Sequence, residues 1–131
     1  MISPVASNII RSDFKGNGKY GARRHKRFHR GVDYVCIPGE VVVAPISGVI
    51  TRVAKPYANS IYSGVVLQGK DIALKIFYLE PCVALIGKDV SQGEFIGHAQ
   101  DISEHEGNKG MMPHIHVEVE SMNVDILINL L

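Results

Sequence analysis

From Val32 onward the chain is a succession of short apolar runs, rich in Val and Ile, each cut by Gly, Pro or Asn within a few residues. Val32 to Ile37 stops at Pro38-Gly39, Val41 to Ala44 stops at Pro45, and Val49 to Val53 follows the turn at Ser47-Gly48. Gly64 to Leu67 and Ile72 to Leu79 flank Gly69-Lys70-Asp71, which reads as a hairpin. Runs this short do not make core helices, and β-branched side chains suit a pleated, half-buried surface. The 13 Gly and six Pro supply the turns that such an architecture needs.

Farther along, Val90-Ser91-Gln92-Gly93-Glu94 turns into the short strand Phe95-Ile96-Gly97, and residues 99–112 are polar enough to be a loop. Ile115, Val117 and Val119 alternate with His114, His116, Glu118 and Glu120, a strand with two chemically different faces. The last eight residues are expected to form a short helical turn over one end of a sheet. In all, the pattern predicts about seven short strands and little helix. The expected fold is all-β, a small antiparallel sandwich or partly open barrel. With 131 residues, one domain is expected: an irregular basic segment over 1–28 and a β core over 29–131.

Hydrophobic residues make up 46% and charged residues 21%, so the chain can bury a core rather than stay disordered. A formal net charge of +1 gives no global field for a polyanion. Seven of the 14 basic residues nevertheless lie between Lys15 and Arg30, either as a solvated loop or as a basic rim. No nucleic-acid partner is expected. Cys36 and Cys82 are too few for a disulfide framework and are read as free thiols. The N-terminus lacks a basic region followed by a long apolar run, and no stretch approaches the ~20 apolar residues of a membrane span. A soluble chain, taken as a monomer, is expected. Any work outside a cytoplasm would require delivery by a phage particle, a lysis programme or a secretion machine.

The chemistry sits in the histidines. His114-Ile115-His116 on a strand puts two imidazoles on one face, with Glu118 beside them. His29 and Asp33 are four apart, across the boundary from loop to strand. Two neutral imidazoles and a carboxylate suit one Zn²⁺ ion, and three protein ligands leave a fourth position open for water, whose pKa the metal lowers to about 7. The bland alternative is two surface pairs, with Glu118 and Glu120 simply solvating an edge strand.

Three motifs then occur in order. They are His29-Arg30-Gly31-Val32-Asp33 with Pro38-Gly39-Glu40-Val41-Val42-Val43-Ala44-Pro45, Val90 to Gly97, and Pro113-His114-Ile115-His116-Val117-Glu118. Together they resemble the signatures of lysostaphin/LytM-type zinc metallopeptidases over roughly residues 13 to 120. Tyr20, Cys36, Lys55-Pro56-Tyr57 and Lys75 to Pro81 resemble the leukocyte cell-derived chemotaxin branch of that superfamily. The resemblance implies a small antiparallel β fold with a groove over one zinc ion. It implies His29, Asp33 and His116 as ligands and His114 as the non-ligand histidine that moves a proton or steadies the oxyanion. The implied activity is hydrolysis of a peptide bond in bacterial peptidoglycan. Tyr20, Arg27 and Tyr57 are expected along the cleft as substrate-binding residues, the basic rim facing an anionic wall.

One position departs from the pattern. Active members of this superfamily carry a second catalytic histidine where Tyr78-Leu79-Glu80-Pro81 stands, so that position is Glu80. Either Glu80 acts as a carboxylate general base on a metal-bound water, or the chain is a zinc-containing binding protein without hydrolytic activity. His98 and His105, beside the long loop, are expected at the surface, although either could fold back toward the metal.

Overall fold

A computed structural model of the chain describes residues 1–13, 16, 18–19 and 31–123, together with the backbone of 17, 23–24 and 27–28. Two sheets carry the fold. Their strands are β1 (Gly31–Val35), β2 (Val41–Val43), β3 (Gly48–Ala54), β4 (Gly64–Gln68), β5 (Ile72–Phe77), β6 (Leu79–Pro81), β7 (Asp89–Val90), β8 (Phe95–Ala99) and β9 (His114–Met122). The larger sheet has the order β7-β3-β4-β5-β9-β1 and the smaller one β6-β8-β2. Every pairing within them is antiparallel. Neither sheet closes on itself, so the fold is an open sandwich. Helix is confined to two single 3₁₀ turns among the described residues, Val83–Leu85 and Ile102–Glu104.

Period-two alternation decides which side chains enter the core. Ile50, Val65, Leu67, Leu74, Ile76, Ile115 and Val117 from the larger sheet meet Val42, Leu79 and Ile96 from the smaller one in a single buried cluster. Each contributes roughly 1.5–3 kcal/mol by leaving water. Because Ile115 and Val117 are committed inward, His114, His116 and Glu118 must face the opposite side of the larger sheet. Phe77, Val66 and Ala54 form a second small apolar patch away from the main core, with Tyr78 packed against it.

One feature departs from the expected strand pattern. The run Ile72 to Leu79, expected as one strand, is split at Tyr78. That residue adopts a left-handed φ of 74°, which is costly for a side chain of its size. It is pinned from both sides: its N–H donates to the Ser63 carbonyl and its carbonyl accepts from the Gln100 N–H, each at 2.8 Å. The kink sends the chain from the larger sheet into the smaller one, which turns one expected strand into β5 and β6. The expected helical turn at the C-terminus falls on residues 124–131, outside the described residues.

The N-terminal segment docks on the β core. The Val35 N–H donates to Ile9, the Arg11 N–H to Asp33 at 2.9 Å, and the Asp33 N–H to Gly18 at 2.8 Å, so the segment pairs with the outer edge of β1. Ile2 and Pro4 reach Pro45 and Val43, and Val5 joins the core. Two short hairpins, Ser12–Asp13 with Gly16–Asn17 and Arg23–Arg24 with Arg27–Phe28, precede β1. Cys36 and Cys82 are both free thiols, the first buried and the second half-buried.

Candidate metal centre

Antiparallel pairing of β1 with β9 places Asp33 directly opposite His116. Opposed residues share a face, so the carboxylate and the imidazole meet: His116 Nδ1 lies 2.8 Å from Asp33 Oδ1. The other ring nitrogen, Nε2, lies 3.2 Å from Glu118 Oε1, two residues along the same face. Gly31 makes room for this ring. A Cβ there would collide with the Val117 carbonyl and approach His116 Cε1 and Nε2 at 2.8 and 2.9 Å.

His114 stands one pleat away and is 3% exposed. Its Nδ1 lies 2.8 Å from the Met112 carbonyl. A carbonyl can only accept, so Nδ1 carries the proton and Nε2 of the neutral ring is the basic atom. Nε2 lies 3.7 Å from Asp33 Oδ2.

Electrostatics separate the two histidines. Burial pushes His114 below its usual range, against the attraction of Asp33 and the Met112 hydrogen bond, and keeps it neutral. Burial also opposes charge on His116, but its hydrogen bonds to Asp33 and Glu118 outweigh it and push the imidazole up to about 9. The two carboxylates thus favour the protonated ring, and a cation taking Nδ1 would displace the proton there.

Asp33 has a third neighbour. The buried Arg11 guanidinium donates from Nε to Asp33 Oδ2 at 3.0 Å and from a terminal nitrogen to Asp13 at 3.2 Å. Asp13 in turn accepts the Met112 N–H at 2.8 Å. One residue is therefore shared: the Met112 N–H fixes Asp13 and the Met112 carbonyl fixes His114.

Aromatic rings wall one side. Tyr78 meets His114 edge to face with centroids 5.3 Å apart, and Phe77 stacks on His116 at 6.0 Å. Tyr57 stacks on His105 at 4.5 Å and lies 6.5 Å from Tyr78, while Tyr62 sits edge-on to Tyr57 and Tyr78 at 6.4 Å each.

Of the residues expected at the site, the fold brings together Asp33, His114 and His116. Tyr57 stands close by on the aromatic wall. His29 and Tyr20 lie outside the described residues, and Arg27 is described only by its backbone. Glu80 is exposed on β6, in register with His98 across the smaller sheet. Among the described residues it makes no hydrogen bond or ion pair with Asp33, His114 or His116. His98 is exposed, as expected, beside Phe95 at 5.1 Å. His105 is half-buried within the aromatic wall. Sequence reasoning missed Arg11, an isolated arginine in a polar stretch with no periodic signal. It also missed the backbone role of Met112, which no side-chain motif encodes.

The donors present fit a zinc ion. An oxygen and a nitrogen sit side by side in a buried setting, the donor types zinc takes. Glu118 behind Nε2 is placed as an outer carboxylate would be if His116 ligated the ion. Among the described residues no group of three or more His, Cys, Asp or Glu gathers round one point.

The sequence profile of peptidase family M23 matches residues 27–126, a span that includes Asp33, His114 and His116 but neither Arg11 nor Asp13. Leukocyte cell-derived chemotaxin-2 from Mus musculus is 39% identical over 116 residues, which cover 86% of this chain and 74% of the relative. The fold is shared with the catalytic domain of the antimicrobial peptidase lysostaphin from Staphylococcus simulans. There the TM-score is 0.56 at 23% identity, covering 88% of this chain and 85% of that one. A zinc-containing peptidase from Vibrio cholerae superposes with a TM-score of 0.60 at 22% identity, covering 89% of this chain and 35% of that one.

Proposed function

The chain belongs to peptidase family M23, and on that premise we propose that it is a zinc-dependent endopeptidase hydrolysing a peptide bond in the stems or cross-bridges of bacterial peptidoglycan. The observation that carries this reading is the buried pairing of Asp33 Oδ1 with His116 Nδ1 at 2.8 Å, beside a neutral histidine. His29, Asp33 and His116 would hold the ion. When bound, zinc supplies Lewis acidity toward the scissile carbonyl and toward water.

The rest of the chemistry belongs to this chain's side chains. His114 presents a basic Nε2 next to Asp33 while Nδ1 is locked to Met112. It can take a proton from the attacking water and hold it for the leaving amine. Proton transfer falls to His114 rather than Glu80, which faces solvent on the other sheet. Tyr57 and Tyr78 offer a ring wall to a bound peptide, and the basic stretch around Arg27, with Tyr20, would meet the anionic polymer. That substrate places the reaction at the cell wall, in the periplasm or outside the cell.

A second reading has its own support. Glu80 stands where active relatives place a further histidine, and a relative at 39% identity is named as a chemotaxin. On that reading the same metal centre shapes a binding groove and nothing is cut. Purified cell walls and muropeptides, treated with the zinc-loaded chain, His116→Ala and Glu80→Gln, separate the two. Hydrolysis lost in His116→Ala and retained in Glu80→Gln supports the endopeptidase with His114 as its proton-transfer group. No hydrolysis by the native zinc-loaded chain on any wall chemotype supports the binding protein.

A further inference from the structure

Arg11 is one of the few buried charged residues, at 2% exposure, and its partners are specific. Nε donates to Asp33 Oδ2 at 3.0 Å, and a terminal nitrogen donates to both Asp13 oxygens at 3.2 and 3.3 Å. Its own backbone N–H donates to the Asp33 carbonyl, and its carbonyl accepts from Gly18. Gly18 is packed so tightly that a Cβ would stand 2.5 Å from Asp33 Cβ and 2.9 Å from Arg11 Cβ. Asp33 is therefore gripped through backbone and side chain by a segment that lies outside the 27–126 match.

The grip is directional. Oδ2 faces Arg11, and Oδ1 faces His116 Nδ1 at 2.8 Å. A carboxylate beside a metal can offer one oxygen or two. An arginine held by a second carboxylate presents its donors as a rigid fork and fixes which oxygen is offered.

We propose that Arg11 is a positioning residue that holds Asp33 Oδ2 so that the carboxylate serves the cation through Oδ1 alone, making the N-terminal segment part of the metal centre. The inference rests on the metal-centre reading above. Asp13 is the second half of the device. It anchors the far side of the guanidinium and, through the Met112 N–H, ties it to the residue whose carbonyl fixes His114. Asp33 and His114 are thus linked by hydrogen bonds through Arg11 and Asp13 to the Met112 backbone.

The test loads Co²⁺ into the full chain and reads two quantities, the visible d–d band and the affinity by chelator competition. The native chain, Arg11→Lys and Asp13→Asn are compared. Lysine keeps the charge but not the fork, so geometry is separated from charge. Asp13→Asn loosens the anchor without touching Asp33 or Arg11, and it carries the test if Arg11→Lys does not fold. The expected result is an intense four-coordinate band in the native chain that weakens in the variants as Asp33 turns both oxygens to the metal. An affinity change of about 10- to 100-fold in Arg11→Lys should accompany it. A guanidinium that merely holds the fold would lower the unfolding midpoint and leave the band and affinity of the folded variants native. That result overturns the inference while the metal-centre reading stands. A native chain that takes up no Co²⁺ overturns both.

Discussion

Among the described residues, two carboxylate–histidine pairs share one construction. Asp33 faces His116 across β1 and β9, and Glu80 faces His98 across β6 and β8. Both are cross-strand partners in antiparallel sheets, yet they differ in what lies behind them. Asp33 is 2% exposed, bonded to His116 and backed by Arg11, and His116 is backed by Glu118. Glu80 and His98 are both exposed, with no hydrogen bond between them. A shared register brings a carboxylate near an imidazole. Burial and the surrounding donors make the pair electrostatically strong, because water no longer screens it.

The comparison breaks most sharply in catalysis. His114→Ala should lower hydrolysis of muropeptides by about 10²- to 10⁴-fold while one zinc ion is still bound. Glu80→Gln should leave the rate close to native. Steady-state kinetics with metal analysis on the same samples checks both. A large loss in Glu80→Gln would move the proton-transfer role to the smaller sheet.

Stability gives the next largest contrast. Arg11→Ala removes the buried cation shared by Asp33 and Asp13 and should cost about 3–5 kcal/mol. Glu80→Ala, at a solvated position, should stay within ~0.5 kcal/mol. Denaturant unfolding of the metal-free proteins measures both directly.

A smaller effect is expected behind His116. Glu118→Gln keeps the shape but removes the charge that orients the ring, and should weaken zinc binding by about 10- to 100-fold. His98→Ala should leave it unchanged. Chelator competition reads the two side by side.

The cysteines repeat the contrast on a smaller scale. Burial pushes the Cys36 thiol from its ordinary 9.0 up to about 12, with Glu40 and Asp101 adding to it, whereas Cys82 is half-buried. Above pH 9.0 the unfolded chain gives up this proton and the native chain keeps it, so stability falls as pH rises toward the native value. Cys36→Ala should flatten that decline. Denaturant midpoints between about pH 8 and 10 show whether it does.

Much of this was legible in the residues, for identifiable reasons. The alternation of Ile115 and Val117 with His114, His116 and Glu118 fixes both the strand and its polar face, because period two leaves no other arrangement. The hairpin at Gly69-Lys70-Asp71 follows from turn chemistry. Pairing between β1 and β9 is non-local, so the meeting of Asp33 and His116 was suggested by resemblance rather than by any local pattern. The split at Tyr78 was invisible because an apolar run does not record a left-handed residue held by Ser63 and Gln100. Arg11 was invisible because a single arginine among polar residues reads as surface until its two buried carboxylates are placed around it. The position of Glu80 depended on that same split, which carries it onto the smaller sheet.

The most direct test of the account is a crystal structure of the zinc-loaded chain, with anomalous diffraction at the zinc edge locating the ion. The account predicts one zinc ion bonded to Asp33 Oδ1 and His116 Nδ1, with Asp33 Oδ2 still on Arg11. An ion bonded elsewhere, or bonded at this face without Asp33 and His116, would contradict it.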